Sequence, residues 1–313
     1  MSIMASLQPH NSNGVYCTVK ELLFEGRRSK AANLHLRRAS SSLKEGGKRG
    51  RIRGRGMEFF ESRPYVAQDE MRSIDWKVSA RLNGLFTKVY VEERSRPVFL
   101  AIDQRSNMFF GSVNCFKSVL AAKIAARLAT AAINGGDFFG GIVFDEVQDR
   151  ESALSKERTS LARFFGLLAL ATEKKPEYKR DASSTWLTVL SKIINQIPGG
   201  SAVFLVSDFL GFGQQEQELL YRLRKKADIF ALFVFDPLEA ELPSLGTVGM
   251  GFGVDEIIFD SNNRLLSKKY RTWFKEKNDR LLSMFTAQNI PLLSFSTADD
   301  LDVAMSRIFQ GRW

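Results

Sequence analysis

From Val98 onward, runs of consecutive apolar residues alternate with stretches of helical period, and this alternation leaves the chain few folds to choose from. The runs are Val98–Ile102, Phe139–Phe144, "AVFLVSDFL", "DIFALFVFD" and "PLLSFST". A strand that is apolar at every position, rather than at every second one, must be covered on both faces, as in a parallel sheet wrapped by helices. Helical stretches fall near residues 114–133, 158–172, 185–196, 214–227, 268–288 and 300–309. The expected class is therefore α/β: a doubly wound, mostly parallel sheet with helices on both faces. In the first of these helices Leu120, Ile124, Leu128 and Ala131 form one stripe, with Lys123 and Arg127 falling off it. "GTVGMGFG" lacks the Lys-Ser/Thr of a phosphate-binding loop and reads as a flexible turn. "DEIIFDSNNRLLS" reads as a hairpin turning at Asn262 and Asn263.

The first third of the chain differs. Residues 1–14 read as a flexible leader and residues 15–97 as a basic segment followed by a smaller β-containing module, ahead of the α/β domain at 98–313. The net charge of +10 concentrates between Lys20 and Arg55, so an anionic partner would meet that quarter. "KRGRIRGRG" is a loop able to coat a phosphate backbone, although it lacks aromatic residues for base stacking; nucleic acid is the alternative partner.

Several chemistries are poorly supplied. Cys17 and Cys115 are the only cysteines, which excludes a disulfide scaffold or a paired-cysteine metal site. His10 and His35 both lie in the N-terminal part of the chain, ahead of the sheet. Cys115 stands at a helix start with no histidine near it in sequence and reads as a packing residue. No apolar run approaches the ~18 residues of a membrane span, and no secretory start is visible, so the expected location is the cytoplasm.

Ligands of doubly wound sheets bind beyond the carboxyl ends of the strands. Asp103 and Asp208 stand at two such ends, and Thr185, at the start of a helix, is either a third oxygen ligand or an N-cap. Strand-D-x-S-x-S, Thr-x-Leu and strand-S-D-F resemble the metal-ion-dependent adhesion site of von Willebrand factor A domains. The block "EFFESRPYVAQDEMRSIDWKVSARLNGLFTKVYVEER" is similar to the signature of the domain of unknown function 58 family, through Arg63, Tyr65, Asp69, Arg72, Ile74, Asp75, Trp76, Ser79, Ala80, Arg81, Glu92, Glu93 and Arg94. "FDPLEAELP" also looks like a segment of that family. The resemblance implies a von Willebrand factor A-like fold and cooperation with a MoxR-type AAA+ ATPase and its client proteins. It implies no catalytic activity.

Two departures matter. Gln68 stands where glycine is usual, which removes the freedom for a positive φ. The metal motif reads Asp103-Gln104-Arg105-Ser106-Asn107; Asn107 can offer an amide oxygen, but Arg105 cannot ligate a cation. A guanidinium ~4 Å from a divalent ion at an effective dielectric near 20 would cost about 8 kcal/mol before relaxation, so Mg²⁺ is disfavoured and no cofactor is expected. The sequence therefore predicts that Arg105 bridges Asp103 and Asp208 as an internal cation. Arg63, Asp69, Arg72, Asp75 and Arg81 read as a charge-paired cluster stapling the two modules around Trp76. Together these readings describe a non-enzymatic binding module, an adaptor with a degenerate metal site. A metal-dependent hydrolase at Asp103 and Asp208 is the weaker alternative, for want of a general base and an open metal position.

Overall fold

The computed structural model describes residues 14–29, 57–67, 69–92, 95–173, 183–241, 246–252 and 255–309. They fall into two units, one formed by Met1–Ala39 with Arg96–Trp313 and one by Ser40–Ser95.

The larger unit is built on six strands: β3 (Val98–Asp103), β4 (Phe139–Phe144), β5 (Asp149–Ser155), β6 (Ser201–Ser207), β7 (Ala227–Phe235) and β10 (Leu292–Ser296), in the order β10-β7-β6-β3-β4-β5. All neighbours pair in parallel except β5, which returns antiparallel along the β4 edge. The alternation of strand side chains divides the core in two. Val98, Leu100 and Ile102 of β3 pack on one face with α1 (Val19–Arg28), α3 (Lys117–Asn134), α4 (Arg158–Glu173) and α9 (Leu301–Phe309). Phe99 and Ala101 pack on the other with α5 (Ser183–Gln196), α6 (Gln214–Arg224) and α8 (Arg264–Ala287). This is the expected helix-covered, mostly parallel sheet.

α1, read from sequence as part of the N-terminal segment, belongs to this larger unit. A capping box of Thr18 and Glu21 starts it, and Gly26 lets it lie directly on α3, since a Cβ there would stand 2.3 Å from Thr130 Oγ1. Arg127 of α3 anchors it through Glu25 (Nη2 to Oε2 2.6 Å) and also reaches Asp302 of α9 at 2.6 Å. Arg127 is consequently buried rather than off the packed face, because α1 covers the side of α3 that the apolar stripe leaves bare.

Two local readings change. "GTVGMGFG" supplies strand β8 (Thr247–Phe252), antiparallel to β9 (Asp255–Asp260), so β9 pairs with the strand before it and not with a strand following Asn262 and Asn263. Asn263 instead N-caps α8, its Oδ1 accepting from the amides of Leu265 and Leu266. Amide acceptors serve caps as readily as turns, which is why the asparagine pair misleads.

In the smaller unit β1 (Met57–Pro64) and β2 (Phe86–Glu92) form an antiparallel ribbon, and the short helix α2 (Trp76–Leu82) precedes β2, closed by Asn83 at φ +50°. Among the described residues no helix is long and apolar enough to cross a membrane.

Candidate functional site

The chain runs from β3 outward to β4 in one direction and through β6, β7 and β10 in the other, so the strand order reverses between β3 and β6. A crevice opens at such a reversal. Asp103 ends β3 and Asp208 follows β6, and both carboxylates are buried there.

Each carboxylate is already matched by an internal cation. Arg105 Nε lies 3.0 Å from Asp103 Oδ1, and Arg105 Nη2 lies 2.7 Å from Oδ2, a two-pronged pair with 1% and 0% side-chain exposure. Ser207 donates to Asp103 Oδ2 at 2.6 Å, and Arg105 Nη2 also reaches the Leu210 carbonyl at 3.0 Å. Asp208 takes a cation of its own: Lys117 Nζ, from the first turn of α3, lies 2.8 Å from Asp208 Oδ2 and 2.6 Å from Glu239 Oε1. The expected single bridging arginine is thus replaced by two cations, one per carboxylate. The reason is geometric: Arg105 is two residues from Asp103 and folds back onto it, while α3 delivers Lys117 to the far side of the switch point.

Burial alone would push the Asp208 carboxyl up, but the Lys117 ammonium, with Lys277 beyond it, holds it well below the usual range. Burial would likewise lower Arg105 and Lys117; Asp103 and Asp208 respectively more than offset it, so both stay charged.

Asn107 enters the site with its amide nitrogen rather than its oxygen, donating to Asp208 Oδ1 at 2.6 Å, because a carboxylate selects the donor end of an amide. The Leu210 amide completes that oxygen at 3.0 Å. Every oxygen of Asp103 and Asp208 therefore receives a hydrogen bond or ion pair from the protein. The donor set does not fit a divalent cation, which needs those lone pairs and would face two fixed positive charges. Thr185 lies inside the first turn of α5, half-buried and with no side-chain hydrogen bond among the described residues; it is neither N-cap nor part of the cluster. Its neighbour Trp186 takes that place, fully buried with its ring 6.0 Å from the Arg105 guanidinium and stacked on Phe209 at 5.9 Å. Phe209 itself sits at φ +51°, a left-handed backbone that is costly for an aromatic residue.

The hydrogen-bonded rim continues along the same edge. Glu146, after β4, accepts from both the amide and the hydroxyl of Ser106 at 2.6 Å. Asp236, after β7, caps α7 (Pro237–Ala240) and accepts from the Ser112 amide at 2.7 Å, the Ser112 hydroxyl at 2.6 Å and Thr297. Asp236 and Glu239 lie in the family-like segment "FDPLEAELP" without having been singled out as site residues, whereas Lys117, Trp186 and Glu146 carry no motif signal. Lys117 alone was detectable, since it falls on the Leu120, Ile124 and Leu128 stripe, where a lysine needs a buried partner.

While its charges are paired inside, the rim shows apolar side chains outside. Phe110 and Val113 between β3 and α3, Val147 after β4 and Leu210 after β6 are all exposed. β6, β3 and β4 are adjacent strands, so these loops share one stretch of edge.

The signature residues organise the smaller unit. Asp75 N-caps α2, accepting from the Val78 amide at 3.2 Å and from Ser62 at 2.9 Å, while the Ser79 hydroxyl accepts the Phe86 amide at 2.9 Å. Arg63 pairs with Asp69 at 2.6 Å, and that hydrogen bond holds the Asp69 carboxyl below its usual range. The Tyr65 amide donates to the Leu85 carbonyl at 2.8 Å. Arg72 and Arg81 are exposed and do not join the expected cluster. Trp76 is 66% exposed, because the packed side of so short a helix is filled by Ser79. Glu92 ends β2, and Gln68, Glu93, Arg94 and the basic stretch at 44–55 lie outside the described residues. Cys115 is half-buried with its thiol pKa raised by burial, which suits packing.

A profile of the family described as "Protein of unknown function DUF58" matches residues 61–279. Relatives in Mycobacterium bovis (Mb1516) and Mycobacterium tuberculosis (Rv1480), each called an uncharacterized protein, are 27% identical over 215 residues, 64% of this chain and 61% of theirs. The chain thus spans about six tenths of the length of those relatives. Among solved structures, the conserved hypothetical protein BatB from Bacteroides thetaiotaomicron is 15% identical, covering 69% of this chain and 96% of its own, with a TM-score of 0.44. An aerotolerance-related membrane protein from Bacteroides fragilis is also 15% identical, covering 69% and 98%, with a TM-score of 0.42.

Proposed function

The chain belongs to the DUF58 family, and from that premise we propose that it acts as a non-catalytic protein-binding module, an adaptor for a MoxR-type AAA+ ATPase and its clients. The observation that carries this reading is the contrast at the switch-point rim. A site that does chemistry leaves an ionisable group or a metal position open to substrate. Here Asp103 and Asp208 are spent on Arg105 and Lys117, beneath loops that expose Phe110, Val113, Val147 and Leu210. Apolar side chains on a rigid, internally neutralised base suit protein recognition, where desolvation costs least at uncharged positions. The ATPase as partner, and the cytoplasm as location, rest on the family resemblance and the sequence.

The test is affinity purification of the tagged chain from its native host, beside a Phe110→Ser/Val113→Ser/Leu210→Ser variant checked by circular dichroism. The expected result is an AAA+ ATPase, identified by mass spectrometry, that co-purifies with the parent chain and is lost from the folded variant. Equal recovery by both would place binding elsewhere. Turnover of a general ester or phosphate-ester substrate that disappears in Asp208→Asn would overturn the non-catalytic reading.

A further inference from the structure

The long helix α8 presents a second surface, distinct from the exposed rim side chains Phe110, Val113, Val147 and Leu210. Its inner side, through Phe274, Leu281 and Phe285, is buried in the core. Its outer side carries an open, shallow cleft of about 330 Å³ along one helix face, lined among the described residues by Leu265, Lys268, Lys269, Thr272, Trp273 and Glu276. Leu265 and Trp273 are 64% and 53% exposed, a large apolar exposure for a helix otherwise amphipathic. From Arg264 to Lys275 the helix holds Arg264, Lys268, Lys269, Arg271 and Lys275 with no acidic residue; of these Arg271 is paired, with Glu241.

We propose that this cleft docks an acidic peptide segment of a partner protein, with one apolar side chain seated between Leu265 and Trp273 and carboxylates on Lys268 and Lys269. The volume lies at the lower end of the range for ligand clefts, the scale of one anchoring side chain. Half-exposed tryptophan flanked by cations is the composition of an interface anchor with a charged rim. Nucleic acid fits less well. The Trp273 ring has Tyr270 at 5.9 Å and the Lys277 ammonium at 5.8 Å, which occupies the face a base would stack on. An anionic membrane fits less well too, since Thr272 lies between Leu265 and Trp273 and the acidic Glu276 follows one turn after Thr272 on the same face, and both oppose insertion. The chain's own stretch at 30–56 is basic, so charge excludes it as the occupant.

The probe is a fluorescein-labelled peptide of about a dozen residues, rich in aspartate and glutamate with one central phenylalanine, titrated by anisotropy at low and physiological salt. Expected is saturable binding that weakens about tenfold or more in Lys268→Glu/Lys269→Glu, in Trp273→Ala, and when the peptide phenylalanine becomes serine. These side chains are exposed, and unchanged circular dichroism will confirm folding. Three results would overturn the proposal: no binding by the parent chain, binding indifferent to the lysine reversals, or tighter lysine-dependent binding to polyuridine RNA or phosphatidylserine vesicles. The rim variant Phe110→Ser/Val113→Ser/Leu210→Ser should bind the peptide as the parent does, so this test and that of the adaptor reading fail separately.

Discussion

Lys117→Met isolates the second internal cation. Methionine keeps most of the aliphatic stem and removes the ammonium that lies 2.8 Å from Asp208 and 2.6 Å from Glu239. Glu239 is partly exposed and can rehydrate, but Asp208 has 3% side-chain exposure and cannot. Breaking a buried pair from one side costs about 3–5 kcal/mol. Asp208 keeps the Asn107 and Leu210 donors, which favours the lower part of that range. The loss must also depend on pH. In the parent chain the folded carboxyl of Asp208 is lowered, so its contribution is present above the unfolded value near 4 and is lost as pH falls through the folded one. Lys117 is raised, so its contribution is full below about 10.4 and is lost only as pH rises through its folded value. Between about pH 5 and 8 this pair gives the parent chain no slope. Without the ammonium, burial raises Asp208 above its unfolded value, so between ~4 and the new folded value the folded state holds the extra proton and stability falls by about 1.4 kcal/mol per pH unit, levelling off above that value. Urea denaturation should then give a cost of roughly 1–2 kcal/mol near pH 5 and about 3–5 kcal/mol near pH 8, at constant m. Lys117→Met/Asp208→Asn should recover most of the loss and abolish its pH dependence. A cost below about 1 kcal/mol at pH 8, or one equal at pH 5 and 8, would refute the buried-pair argument.

Two further measurements probe the same fold. Calorimetry with Mg²⁺ should find no site tighter than about millimolar in the parent chain, while Arg105→Ser/Lys117→Met, which frees oxygens on both aspartates, should bind at least about tenfold tighter and gain thermal stability from the ion. Gly26→Ala should destabilise by about 1–3 kcal/mol in denaturant, because its Cβ would stand 2.3 Å from Thr130 Oγ1, and Thr130→Ala in the same background should restore most of that.

The α/β class was legible because strands apolar at every position leave only a sheet covered on both sides, and Val98–Ile102 or "AVFLVSDFL" state that without knowledge of their neighbours. The carboxylates at the strand ends, and the non-ligating arginine beside them, could be read the same way, since a side chain's capacity to ligate is a property of its own chemistry. The family signature, too, is a local string. What remained hidden depends on which elements meet. Arg105 pairs within its own loop, a contact of sequence separation two, and was half foreseen; Lys117 meets Asp208 across 91 residues, and Arg127 meets Glu25 across 102. Thr185 and Trp186 exchanged roles because the rotation of α5 on the sheet, not the residue order, selects which of two neighbours faces Arg105. "GTVGMGFG" became a strand because β9 offered it a ladder, a stabilisation that no residue within the glycine-rich stretch encodes alone. Sequence thus determined periodicity and chemical capacity, while the partner of each buried charge was decided only when the helices closed over the sheet, because desolvation makes a charge choose its counterion by proximity in space.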